Sequence, residues 1–356
     1  MRRHRRLLVL LPCALLGWGC SAAGNASPAP RAPAPAPTAP APTASWSAAH
    51  RIGPPSDGPR AELRSLAEDV VTAAGRGYDS HDSAGRSMDT AKIIADPAGG
   101  YLAVFHTTLP GGPRVSVATS ADLIHWTHAA ELGVRASQPS IAAAGGGFVV
   151  AWEQEPSNHL AFRYYRDRAA LLSAAATRTT DVPRTFSDCA EGTPNIYSVT
   201  LSPDIDHSTI DTGAHYFANC DVDRQQRGQL TNFRTWRATK QDLADNALLY
   251  WGVKGNIGDR DAVQFRGFPY ALVEGQYVKG DFGSWRPFVY DHQTGNADRL
   301  TIRTNGGSTA FANPSVTVLT GPDGRPAIVF SLFVPSQGAA RGEAGQLIYY
   351  QHIPAR

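Results

Sequence analysis

The sequence predicts an all-β domain folded as a five-bladed β-propeller. A phrase recurs five times: a polar or acidic residue, a short apolar or β-branched strand and, in most copies, a Gly-containing turn with a second apolar strand. The copies are spaced by 49, 53, 70 and 52 residues, counted between their leading residues, which are Asp89, Gln138, Glu191, Asp261 and Asn313. All-β units that repeat at roughly 40 to 50 residues are typical of propeller blades, each a four-stranded sheet.

The first strand of every blade lines the central channel of a propeller. Residues at the start of these strands therefore converge although they are far apart in the sequence. Three of the five leading residues are carboxylates: Asp89, Glu191 and Asp261. We expect these three side chains to meet at one end of the channel.

The first 20 residues predict an export signal. Four arginines between Arg2 and Arg6 precede an apolar run that ends near Leu16, far short of the ~20 residues of a membrane span. Cys20 follows a glycine and resembles the lipid-modified cysteine of bacterial lipoproteins, with ordinary secretion as the alternative. We expect a protein that is secreted or anchored to the outer face of the bacterial cytoplasmic membrane.

The rest of the chain divides into a spacer and one folded domain. Residues 21–59 are rich in Ala and Pro, which favours an extended linker, and residues 60–356 are long enough for five blades. One helix is expected, within the segment from Ala61 to Ala74, because Leu63, Leu66 and Val70 recur at helical spacing.

Charge and cysteine content limit the possible partners. The net charge is +2 and the basic residues beyond the leader are scattered, so a nucleic-acid partner is not expected. Cys189 and Cys220 form an even pair in an exported domain, which predicts a disulfide rather than a metal site. We expect a monomer without cofactor or metal that touches the membrane only through a lipid anchor.

Three motifs resemble a known family. Residues 88–95 with residues 100–105 resemble the opening of the five-bladed propeller glycosidases of glycoside hydrolase family 43 and its relatives. The stretch Ser120 to Trp126 matches the phrase that closes the first blade of that family, and Glu191-Gly192-Thr193-Pro194 is similar to its third-blade Glu-Gly-Pro phrase. The resemblance spans most of residues 85–356. It implies a carbohydrate substrate, with Asp89 as general base and Glu191 as general acid.

One departure from the family concerns the third carboxylate, which orients the acid and tunes its pKa. The family places this carboxylate at the head of the second blade, where this chain has Gln138, which carries no charge. Either Asp261 supplies the charge from the fourth blade or the site is catalytically altered. If Asp89 and Glu191 lie roughly 6.5 to 9.5 Å apart across the channel, the reaction inverts the anomeric centre.

Further residues compete for roles at the same site. Candidates for sugar binding are Gln138, His106, Trp152, His215 and Arg260. The two histidines and the tryptophan could instead pack in the core, and Arg260 could pair with Asp259 or Asp261. Other carboxylates follow second strands and could face the channel or solvent, namely Glu153, Glu155 and Glu274.

The leading hypothesis is an exported glycoside hydrolase acting on a poly- or oligosaccharide through a carboxylate acid/base pair. The alternative is a non-catalytic carbohydrate-binding propeller of the cell envelope, which the Gln138 departure favours. A third possibility is a structural envelope protein that uses the ring as a platform for partners.

Overall fold

Five antiparallel four-stranded sheets form the protein, arranged as a five-bladed propeller, as the sequence predicts. The coordinates are a computed structural model that describes residues 57–355. The predicted leader, Cys20 and nearly all of the predicted linker lie outside the described residues. Inner strands of consecutive blades are in contact, and the inner strand of the last blade contacts that of the first.

Blades I and II follow one another directly in the chain. From the axis outward, blade I consists of β2 (Asp89–Ala95), β3 (Tyr101–Leu109), β4 (Gly112–Ser120) and β5 (Thr127–Val134). Blade II consists of β6 (Ala136–Ala144), β7 (Gly147–Gln154), β8 (His159–Tyr165) and β9 (Arg178–Asp181).

Blades III and IV carry the longer connections. Blade III consists of β10 (Glu191–Leu201), β11 (Ser208–Ala218), β12 (Val222–Thr231) and β13 (Thr235–Lys240). Blade IV consists of β14 (Ile257–Phe265), β15 (Phe268–Gln276), β16 (Trp285–Asp291) and β17 (Ala297–Arg299). Short 3₁₀ turns, Ile205–His207 and Phe282–Ser284, lie in their loops.

Blade V joins the two ends of the described chain. Its inner strands are β18 (Ala312–Thr320), β19 (Pro326–Val334) and β20 (Gly345–His352), and its outermost strand is β1 (Gly75–Gly77) from the amino-terminal side. Gly75 pairs with Tyr350 and Gly77 with Ile348. Backbone hydrogen bonds between the first and last strands therefore close the ring.

Three helices lie outside the sheets of the described chain. The predicted helix is present as α1 (Asp57–Glu68), where Leu63 and Ala67 are buried against residues of blades IV and V. It ends at Glu68 rather than near residue 74 because Asp69 accepts hydrogen bonds from Thr72 and the following residues lead into β1. The expectation of a single helix was wrong, since α2 (Arg168–Leu172) and α3 (Asp242–Tyr250) form in inter-strand connections.

The predicted disulfide joins Cys189 to Cys220, with Cα atoms 5.7 Å apart. Cys189 lies just before β10 and Cys220 lies in the turn between β11 and β12. The bridge therefore braces the loop that leads into the inner strand of blade III. In the described part of the chain, no helix is long and apolar enough to cross a membrane.

Candidate functional site

Every inner strand begins with a β-bulge that turns one residue towards the axis. Register shifts occur between Asp89 and Lys92 in β2 and at the matching place of the other four inner strands. The residues displaced by these bulges, here called the head residues, are Thr90, Gln138, Thr193, Arg260 and Asn313. Four of them adopt positive φ angles of 50° to 55°, which is uncommon outside glycine and recurs at functional sites.

The head residues surround a pocket on the propeller axis, here called the axial pocket. It encloses about 300 Å³ including its open mouth. All five head residues line it, together with Lys92 and five small residues of the same bulges: Pro139, Ser140, Pro194, Pro314 and Ser315. Its wall is therefore composed of hydroxyl, amide and proline groups together with two cations.

Arg260 stands at the centre of this arrangement. Its Nη1 donates to Gln138 Oε1 at 2.9 Å, Nη2 donates to Asn313 Oδ1, and Nε forms an ion pair with Glu274. The Glu274 side chain is fully buried and its second oxygen accepts the Asn313 N–H. One guanidinium group thus links blades II, IV and V. Gln138 lines the pocket, and its role in sugar binding stays a prediction.

Second or third strands support the head residues of the following blade. The Thr90 N–H donates to Gln346 Oε1 at 3.0 Å, and the Gln138 N–H lies 3.4 Å from Nδ1 of His106. Glu153 accepts the Thr193 N–H in the same way. These contacts satisfy backbone donors that the bulges remove from the sheet.

Asp261 lies beside the axial pocket but is occupied by other partners. Its Oδ2 accepts from Lys92 Nζ at 2.6 Å and from the Val316 N–H at 2.8 Å, and its residue is 1% exposed. Lys92 also donates to the Val316 carbonyl. Asp261 therefore sits in a buried ion pair that joins blades I, IV and V.

Glu191 is bound inside the loop that the disulfide braces. Its Oε1 accepts the N–H groups of Thr185, Phe186 and Ser187, and its Oε2 accepts from Gln226 Nε2 at 2.9 Å. The residue is only 2% exposed. The carboxylate thus acts as an acceptor for three consecutive backbone amides.

Asp89 keeps partial exposure one residue before the head residue Thr90. Ser87 Oγ donates to its carboxylate at 3.2 Å, and burial raises its pKa. Asp89, Glu191 and Asp261 therefore contact three different sets of neighbours, and none of the three lines the axial pocket. Their catalytic roles stay predictions.

Two other carboxylates near Arg260 have strongly shifted pKa values. Burial and the negative charge of Asp223 raise the pKa of Glu153 to about 7. Burial raises the pKa of Asp223 to about 6, although the charge of Arg260 opposes the shift. Both side chains are partly exposed. The two carboxylates influence the same guanidinium group of Arg260 electrostatically. Sequence reasoning identified Glu153 but missed Asp223.

The remaining candidates for sugar binding lie behind the pocket wall. His106 Nδ1 is 2.8 Å from the Thr90 hydroxyl, and burial lowers its pKa to about 4, so the ring is neutral at pH 7. His215 is 6% exposed and packs against Gly258. Trp152 is 1% exposed and donates to Gln154. Of the three, His106 contacts the head residues Thr90 and Gln138 directly.

Sequence reasoning placed Gln138 and Asn313 at blade heads, named Arg260 only as a candidate for sugar binding, and missed Thr90 and Thr193. In the structure, Thr90 follows Asp89 by one position, Thr193 follows Glu191 by two, and Arg260 precedes Asp261 by one. A polar residue followed directly by proline marks three heads: Gln138-Pro139, Thr193-Pro194 and Asn313-Pro314. This dipeptide is the sequence signal from which these three head residues could have been identified.

No family model matches the chain, and no curated protein matches it by sequence. Solved structures do match by fold. Sucrose-6-phosphate hydrolase from Lactobacillus gasseri has 11% identity and a TM-score of 0.50, covering 86% of this chain and 66% of its own. A thermostable family-43 glycoside hydrolase has 10% identity and a TM-score of 0.49, covering 79% of this chain and 94% of its own. At such identities the likeness shows the fold.

The chain has the five-bladed propeller fold, which it shares with the sucrose-6-phosphate hydrolase. Within residues 57–355, no group of three or more His, Cys, Asp or Glu side chains is arranged to hold a metal ion.

Proposed function

We propose that the protein is an exported carbohydrate-binding propeller whose axial pocket receives a sugar. The observation that carries the proposal is the identity of the head residues. None of Thr90, Gln138, Thr193, Arg260 and Asn313 is a carboxylate. Hydrolysis of a glycosidic bond requires a carboxylic acid on one face of the sugar and an ionised carboxylate on the other. The axial pocket offers neither at its five equivalent positions.

The pocket wall suits the hydroxyl groups of a sugar. Hydroxyls of Thr90 and Thr193 and the amides of Gln138 and Asn313 supply both donors and acceptors. Their backbones are fixed by the bulges and by hydrogen bonds from neighbouring blades, so few groups must be ordered when a ligand binds. Preorganised polar groups of this kind fix the orientation of a hydroxyl-bearing ligand and provide specificity.

Calorimetric titration with a panel of soluble poly- and oligosaccharides tests this proposal. We expect a ligand that binds in the micromolar to millimolar range without release of shorter products. Replacement of Thr193 by Val keeps the side-chain shape and removes one hydroxyl from the wall, so affinity should fall several-fold. The matched control is Thr239→Val, an exposed threonine of β13. Loss of affinity in the control to the same degree would contradict the proposal.

Glycoside hydrolysis is the second candidate function, and one observation favours it. Glu153, with a pKa of about 7, and Asp223, with a pKa of about 6, could hold and accept a proton near neutral pH. The competing assignment for the same reaction follows from the family resemblance. In that assignment Asp89 is the general base, Glu191 is the general acid, and Asp261 supplies the charge that tunes the pKa of the acid. The reaction then inverts the anomeric centre.

Product analysis separates the two assignments. Chromatography of a polysaccharide digest would first establish whether shorter sugars form. If they do, Glu153→Gln should abolish turnover under the first assignment and leave it nearly intact under the second, whereas Glu191→Gln should do the reverse. Both variants preserve side-chain size. If prolonged incubation yields no shorter sugars, the result supports carbohydrate binding without hydrolysis.

Export and lipid attachment at Cys20 complete the proposal. The basic and apolar leader and the proline-rich linker support it, since together they would hold the propeller away from a membrane surface. Phase separation in detergent tests the anchor. The full-length protein should partition into the detergent phase, and Cys20→Ala should move it to the aqueous phase.

A further inference from the structure

Two arginines on the outer strands of blade IV face each other without a carboxylate partner. Arg299 pairs with Phe288 across β16 and β17, and Arg286 lies two residues before Phe288 in β16. Both side chains therefore project from the same face of the sheet as diagonal neighbours. Both residues are partly buried. Among the side chains that the structure describes, no carboxylate oxygen lies within 4.0 Å of either guanidinium group.

The groups around Arg286 compensate its charge only weakly. Its Nη1 donates to the carbonyls of Gly283 and Trp285, at 2.9 and 2.7 Å. The nearby Asp281 uses its Oδ1 to accept the Gly283 N–H. Burial and the positive charge of Arg299 lower the pKa of Arg286. Two like charges held together away from water are unfavourable unless an opposite charge joins them.

Tyr277 adds a hydroxyl group beside Arg286 and Arg299. Its hydroxyl oxygen is buried, and no described residue accepts its proton. Burial raises its pKa, while the adjacent Arg299 and Arg286 lower it. Arginine has only donors, so neither guanidinium group can accept the tyrosine proton. The hydroxyl therefore lacks an acceptor that an anion would provide.

The carboxyl end of α3 offsets part of the charge. A Cβ atom on Gly252, just beyond this helix, would lie 3.9 Å from the Tyr277 ring. The end of a helix carries the equivalent of about half a negative charge. Two guanidinium groups carry two positive charges, so the helix end and the nearby Asp281 carboxylate compensate only part of them.

The cluster lies towards the end of blade IV at which the inner strand begins, the end that carries the head residue Arg260. Gly258, two residues before Arg260, pairs with Glu274, and the next residue of β15 pairs with Arg286. We propose that Arg286, Arg299 and Tyr277 form a subsite for an oxyanion carried by the glycan that enters the axial pocket. Bidentate arginine contacts fit carboxylate, sulfate and phosphate oxygens alike. This inference rests on the proposed function and makes the ligand an acidic glycan.

Titration calorimetry at constant ionic strength tests the subsite with inorganic phosphate and sulfate, an oligogalacturonate and a neutral oligosaccharide of equal length. We expect Arg286→Gln and Arg299→Gln to weaken binding of the anionic probes about tenfold or more, and Tyr277→Phe several-fold. Arg237→Gln, at an exposed position of β13, is the control and should bind like the wild type. Far-ultraviolet circular dichroism verifies that each variant is folded.

The probes separate the subsite from the proposed function. Tight binding of the oligogalacturonate that falls in Arg299→Gln identifies a uronate, and preferential binding of phosphate or sulfate identifies an ester. Anion binding without any glycan binding would keep the subsite and refute its glycan ligand together with the proposed function. Equal affinity for neutral and acidic glycans, unchanged in Arg286→Gln, would overturn the subsite and leave the proposed function standing.

Discussion

The ammonium group of Lys92 contacts the carboxylate of Asp261 at 2.6 Å, although 169 residues separate them in the sequence. Lys92 belongs to the inner strand of blade I and Asp261 to that of blade IV. The pair is almost completely enclosed, with side chains 11% and 2% exposed. This ion pair and the contacts of Arg260 link different blades across the interior of the channel.

Removal of the lysine charge should destabilise the propeller strongly. Lys92→Met keeps much of the side-chain volume and leaves Asp261 buried without its cation, which costs about 3 to 5 kcal/mol. Urea denaturation followed by tryptophan fluorescence measures the loss. The double variant Lys92→Met with Asp261→Asn removes both charges and should recover a substantial part of it. A single variant as stable as the wild type would show that the ion pair is dispensable.

A methyl group at Gly192 should disturb the contact between blades II and III. A Cβ atom there would lie 2.0 Å from Glu153 Oε2, well inside any permitted contact. Gly192→Ala should therefore lower stability by roughly 1 to 3 kcal/mol, as overpacking does. Gly58→Ala in α1 is the matched control, because a Cβ atom on Gly58 would meet no atom within 4 Å and helix propensity favours alanine. Thermal melts of both variants provide the comparison.

Loss of the disulfide should lower the melting temperature by several degrees. The bridge joins residues 31 positions apart, and closure of a loop of this size contributes about 3 kcal/mol in the chain-entropy model. Cys189→Ser with Cys220→Ser avoids a free thiol and should reproduce the effect of reductant on the wild type. Adding reductant to the double variant should then change nothing. Labelling of two thiols in the oxidised native protein would contradict the bridge.

Asp245 should make a contribution to stability that is lost as the pH rises from about 4 to about 7. This residue of α3 is 5% exposed, and burial raises its pKa to about 7. Between the unfolded and folded pKa values the native state holds a proton that the unfolded state has lost, so rising pH favours unfolding. Asp245→Asn should flatten this part of the pH profile, because the amide oxygen can still accept the Gln225 N–H. Asp188→Asn, at an exposed position, should leave the profile unchanged.

The sequence was sufficient for the architecture because apolar strands, glycine turns and repeat spacing are all local signals. It was not sufficient for the inner-strand register. A bulge inserts one residue without changing composition, so Asp89 could not be distinguished from Thr90, nor Asp261 from Arg260, as the residue that turns to the axis. The disulfide between Cys189 and Cys220 was predictable because an even pair of cysteines in a domain expected to be exported favours a disulfide. The partners of Glu191, by contrast, depend on the path of a loop that no periodicity describes.

Closure of the ring by β1 and β20 sets an order of events during biogenesis. The amino-terminal strand leaves the ribosome first but finds its partner only when almost the whole chain has been made. Until then blade V has an unpaired sheet edge, and such an edge can recruit other chains. A truncation that removes only the last strand would therefore expose both ends of the ring at once, producing an aggregating protein instead of a four-bladed one.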